Sequence, residues 1–131
     1  MSKQVTIQPN FEISGLLKFK SRGTKLDNFQ LYKSGRYALF FGLKKIIEIN
    51  PSLKDIYIPT FVCPQVLMPI DKLNLNKNFY QIDQNLCLDK KYLEKSVNSN
   101  SIIIVINYFG FPSEWEYFEE LKLKTKCTLI S

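Results

Sequence analysis

From Ser34 to the last residue, short apolar runs alternate with stretches of helical periodicity, and few folds accept that order. Leu39, Leu43, Ile46 and Ile47 fall on one helical face, with Lys44, Lys45 and Glu48 opposite. Asn50-Pro51 ends this helix, because the residue before a proline avoids helical dihedrals. Residues 55–59 then read as a strand and residues 64–73 as a helix with proline in its first turn, where no N–H is lost. Residues 79–82 read as a second strand, and Asp89 caps a helix running to about Val97. Residues 101–106 are apolar on both faces, as a central parallel strand requires. Ser113 opens another helix, with Glu114 and Glu116 in its first turn and Lys122, Lys124 and Lys126 in its last, an arrangement that suits the helix dipole. Residues 127–130 begin one more strand. The pattern specifies an α/β fold: a mostly parallel sheet flanked by helices on both faces.

Size and composition set the bounds. A chain of 131 residues, 45% of them hydrophobic, can bury one real core and not comfortably two. Residues 1–32 show no sustained period and read as an N-terminal arm, leaving 33–131 as the domain. No apolar run approaches the roughly 18 to 20 residues that span a bilayer. The first ten residues lack the basic-then-apolar pattern of a secretory signal, so a cytoplasmic protein without a membrane partner is expected. The net charge of +6 comes from 18 basic residues, but only Arg22 and Arg36 are arginines and the lysines are scattered. Nucleic-acid binders gather basic charge and favour arginine, which argues against that class of partner. Cys63, Cys87 and Cys127 are odd in number and unpaired in spacing, and there is no histidine. No metal site is expected, and the thiols read as buried and free.

In a sheet of this kind, ligands bind at the carboxyl ends of the strands. The residues expected there are Pro59-Thr60-Phe61, Asp83 and Asn107-Tyr108-Phe109-Gly110. Ser34-Gly35 stands at the start of the first helix, where bare amides and the dipole can hold an oxyanion such as phosphate. Serine at that place also reads as an ordinary cap. A small independent α/β module binding a phosphate ligand is one function this supports.

Three segments in register resemble a known family: Ser34-Gly35-Arg36-Tyr37-Ala38-Leu39, Ile58-Pro59-Thr60-Phe61-Val62-Cys63 and Asn107-Tyr108-Phe109-Gly110-Phe111-Pro112. They are similar to the N-terminal part of the DegT/DnrJ/EryC1/StrS aminotransferases, fold type I enzymes dependent on pyridoxal phosphate. The resemblance implies part of a fold type I large domain, acting on nucleotide-linked keto sugars with an amino donor, in polysaccharide biosynthesis, as a homodimer. It implies that Ser34, Gly35 and Arg36 lie at the coenzyme phosphate, although the family more often has Gly-Thr there. It places Phe61 near the aromatic that stacks on the pyridine ring, and Asn107 where many relatives carry histidine. Phe61 is equally compatible with core filling, and Asn107 with a plain strand-end polar role. The family's pyridine-pairing acid and Schiff-base lysine would lie past Ser131, and no lysine here matches the family's lysine motif. The expectation is therefore a truncated aminotransferase, inactive alone, with no catalytic residue in this chain and no covalently held coenzyme.

Overall fold

The computed structural model describes residues 32–111 and 113–131, so the expected arm lies, but for Tyr32, outside the described residues. Helix α1 (Gly35–Ile49) precedes strand β1 (Asp55–Pro59). A 3-10 turn (Pro64–Val66) leads into α2 (Leu67–Lys72), and β2 (Asn76–Tyr80) follows. Then come α3 (Lys90–Ser96), β3 (Ser101–Ile104), a second 3-10 turn (Tyr108–Gly110), α4 (Trp115–Thr125) and β4 (Thr128–Ile130). The strands form one parallel sheet in the order β2-β1-β3-β4.

Crossover handedness distributes the helices. The chain moves one way across the sheet from β1 to β2, then reverses and passes over β1 to reach β3 and β4. Right-handed connections therefore put α2 on one face and α3 and α4 on the other. The two cores follow this division. Leu43 of α1 and Ile70 of α2 pack on Ile56, Ile58, Ile102 and Ile104. Leu93 of α3 and Phe118 and Leu121 of α4 pack on Tyr57, Tyr80 and Ile103. Successive strand residues feed opposite faces, and all four residues of β3 are buried. Each such isoleucine contributes about 1.5–3 kcal/mol. The α/β expectation and the central strand hold.

Several boundaries differ from those read in the sequence, and β3 ends at Ile104 rather than Ile106. β2 starts at Asn76 rather than Phe79 and ends at Tyr80, because Asn76 to Tyr80 pair in register with Asp55 to Pro59. Its first residues are polar since it borders the sheet among the described residues, and Asn76 Nδ2 donates to Asp55 Oδ1 at 3.1 Å. Ile82 makes only an isolated antiparallel bridge with Leu88. α4 starts at Trp115 because Ser113 is drawn back to the sheet, its Oγ donating to Ile106 O at 2.5 Å. Lys126 lies past the end of α4 in a left-handed conformation (φ 63°). The cysteine expectation is corrected as well: Cys63 and Cys87 are free but exposed, and only Cys127 is buried. Among the described residues no cluster of metal-ligating side chains occurs, and no helix is long and apolar enough to cross a membrane.

Candidate functional site

α1 is held to the sheet by its apolar face and not by a cap. Ser34 occupies the N-cap position in extended conformation (φ −159°, ψ 164°), yet its side chain makes no capping bond. Its Oγ is buried and has no hydrogen-bond partner among the described residues. That hydroxyl is not acting as the ordinary cap. The first amide to close a helical turn is Ala38 N, donating to Ser34 O at 3.1 Å. Helix geometry therefore aims the N–H groups of Gly35, Arg36 and Tyr37 out of the N-terminus, with the positive end of the dipole behind them. Among the described residues a Cβ placed on Gly35 would meet nothing within 4 Å, so nothing described blocks the approach to these amides.

This start lies at the carboxyl rim of the sheet. Gly35 and Asn107 line one open cavity of about 540 Å³, whose floor includes Leu39, Leu43, Ile104 and Ile130. The first polypeptide after β1 reaches the same rim. Phe61 is 56% exposed, which removes core filling as its role. Its ring stacks on Tyr108 with centroids 5.4 Å apart and planes 27° apart. Tyr108 Oη donates to Phe61 O at 2.5 Å. Burial raises the Tyr108 hydroxyl above its ordinary pKa, so it stays a donor near neutrality.

The expected site residues are thus brought together unequally. Ser34, Gly35 and Asn107 surround the helix start, and Phe61 joins them through Tyr108, the neighbour of Asn107. Arg36 turns aside: its Nη1 donates to Gln65 Oε1 at 2.6 Å and lies 3.5 Å from Met68 Sδ, tying α1 to the turn before α2. Asn107 is partly committed to the fold, since its Oδ1 accepts from Ser113 N at 3.0 Å and Trp115 Nε1 at 3.3 Å. Its amide nitrogen remains the group that could serve a ligand. Asp83, expected at the rim, closes a turn by accepting from Asn85 N and Cys87 N, each at 2.8 Å. Gln65 and the Phe61–Tyr108 pairing escaped the sequence reading. Partners so far apart along the chain leave no local pattern.

Lys90 pairs with Glu114 and sits 5.1 Å from the centre of the Tyr117 ring. The hydrogen bond to Glu114 raises its pKa, so the amine is held protonated rather than freed to attack a carbonyl.

No protein-family profile and no curated protein sequence matches the chain. Solved structures do. The sugar-nucleotide dehydratase ColD, in a crystal structure of a doubly substituted form, superposes with a TM-score of 0.63 at 22% identity, over 74% of this chain and 27% of its own. The E. coli GDP-4-keto-6-deoxy-D-mannose-3-dehydratase with bound hydrated PLP gives 0.61 at 22% identity, over 73% and 26%. A Streptococcus pneumoniae protein described as a sugar aminotransferase, in its PMP form, gives 0.56 at 16% identity, over 66% and 22%. The fold is shared. The chain spans about a quarter of the length of these structures.

Proposed function

We propose that this chain forms the amino-terminal, phosphate-holding part of the large domain of a pyridoxal-phosphate-dependent aminotransferase acting on nucleotide-linked keto sugars. The observation that carries the reading is the uncapped start of α1: among the described residues, an open Gly35 beside a buried Ser34 hydroxyl without a partner. A phosphate fits that geometry, because it would accept from the Gly35, Arg36 and Tyr37 amides and from Ser34 Oγ together. Phe61 offers an exposed aromatic face at the same rim for a flat ring. Asn107 offers its amide nitrogen. Bound there, the coenzyme would supply an electron sink at the substrate's amino-bearing carbon.

Solved structures of the same fold containing PLP or PMP support this above the independent phosphate-binding module. The sugar-nucleotide substrate and the amino donor, with glutamate the proposed donor, belong to the whole enzyme, as does a homodimer. A cytoplasmic location is part of the same proposal.

Thermal unfolding with inorganic phosphate and with pyridoxal phosphate tests the phosphate site. At ten times the dissociation constant a ligand stabilises the folded state by about 1.4 kcal/mol, roughly a 5 °C rise in midpoint. Gly35→Asp sets a carboxylate into the open space at the helix start, which suits the dipole but repels phosphate. The variant should fold and show no ligand-induced rise. An equal rise in wild type and Gly35→Asp rejects the site.

A further inference from the structure

The connections after β1 and β3 run off in opposite directions across the sheet, so a crevice opens between their carboxyl ends. Here the crevice is bridged. The two bridging residues are separated by 47 positions in the sequence. Phe61 cannot hold its own ring in place, because the side chain is largely exposed. The backbone before it is anchored toward β2: Thr60 N donates to Tyr80 O at 2.9 Å, and Thr60 Oγ1 accepts from Ile82 N at 3.2 Å. On the β3 side Tyr108 does two things at once, donating to the Phe61 carbonyl and laying its ring against the Phe61 ring.

Tyr108 is itself well placed to be a fixed point. The residue before it, Asn107, is tied to Ser113 and Trp115 at the entry to α4. The residues after it, Phe109 and Gly110, take positive φ values of 56° and 82°, so the chain turns sharply away and leaves Tyr108 facing Phe61. A bulky residue such as Phe109 adopts that conformation only where the surroundings impose it.

We infer that Tyr108 is a positioning residue, which fixes the exposed Phe61 ring as one wall for the planar ring of the coenzyme, apart from the phosphate-holding start of α1. This rests on the function proposed above. Phosphate binding should not depend on Tyr108, whereas ring binding should.

Equilibrium titrations of the whole chain with inorganic phosphate and with pyridoxal 5′-phosphate separate the two. Wild type, Tyr108→Ala, Tyr108→Phe and Phe61→Ala should bind phosphate alike. Tyr108→Ala and Phe61→Ala should lose about 3- to 10-fold in coenzyme affinity, the weight of one aromatic contact. The circular dichroism that the protein induces in the bound coenzyme reports ring orientation, and it should collapse in Tyr108→Ala. Tyr108→Phe keeps the stack, so it should retain most of the affinity with a displaced dichroic signal. If Tyr108→Ala does not fold, Tyr108→Phe decides, and an unchanged dichroic band then overturns the inference. Phosphate and coenzyme both bound normally by Tyr108→Ala, with an unchanged band, overturns it while the phosphate site stands. A wild type that binds neither probe overturns both.

Discussion

α1 and α3 are anchored alike and begin differently. Each buries one leucine completely, Leu43 in α1 and Leu93 in α3, on opposite faces of the same sheet. The start of α3 is closed by the protein itself. Asp89 Oδ1 accepts from Tyr92 N at 3.1 Å, Tyr117 Oη donates to Lys90 O at 3.1 Å, and Glu114 pairs with Lys90. Among the described residues the start of α1 has none of this, and the Ser34 hydroxyl in position to cap it is buried without a partner. A cap stabilises a helix by only about 1 kcal/mol. A helix pinned by its apolar face can do without one and leave its amides to something outside the chain. The contrast singles out the candidate site better than any single residue does.

The largest expected effect tests whether the two helices are anchored equally. Leu43→Ala and Leu93→Ala should each cost about 2–5 kcal/mol in urea unfolding, from lost transfer energy and the cavity left behind. A Leu43→Ala cost below about 1 kcal/mol would mean that α1 is loosely held, and the contrast in starts would lose its meaning.

Removing the caps comes next. Asp89→Ala should destabilise by about 1 kcal/mol, whereas Ser34→Ala should leave the ligand-free protein unchanged within about 0.5 kcal/mol, since no bond is lost. The order should reverse in phosphate: Ser34→Ala then loses part of the ligand-induced rise in midpoint, and Asp89→Ala keeps all of it. Equal costs without ligand would show that Ser34 caps after all.

The same contrast shows what a sequence can carry. Asp89 was legible as a cap because the signal is local, a carboxylate three residues before the amide it accepts from. The four strands and the two-faced sheet were legible from the apolar runs, most clearly at residues 101–104, where both faces are buried. β2 was misplaced because border strands need no apolar alternation; Lys77 and Asn78 are strand residues chosen for the rim. At the site, Ser34 and Gly35 were legible as a type of helix start, but not as a start left bare. That distinction is the absence of a bond, which no motif encodes. Arg36 reads as a phosphate ligand by adjacency, and only the fold shows it turned toward Gln65. Asn107 and Tyr108 drew notice together, yet their tasks differ because one faces α4 and the other faces the loop after β1.

The smallest effect is the share of the alkaline pH dependence that belongs to the closed start. Burial, with the carboxylates of Glu94, Glu114 and Asp89 nearby, raises Tyr117 to about 12. Burial also raises Tyr57, Tyr80 and Tyr108. A folded-state pKa above the unfolded value near 10 means that the folded chain binds more protons there. The stabilisation is complete below pH 10 and drains away as pH climbs toward 12. Tyr117→Phe should cost about 0.5–1 kcal/mol at neutral pH, for the lost bond to Lys90 O, and should flatten the alkaline decline. Ser34→Ala should decline in parallel with wild type, because the substitution removes no titrating group. Urea midpoints measured between pH 8 and 11 in the three proteins decide it. A Tyr117→Phe curve as steep as wild type would show that Tyr117 does not tie the closed start to pH.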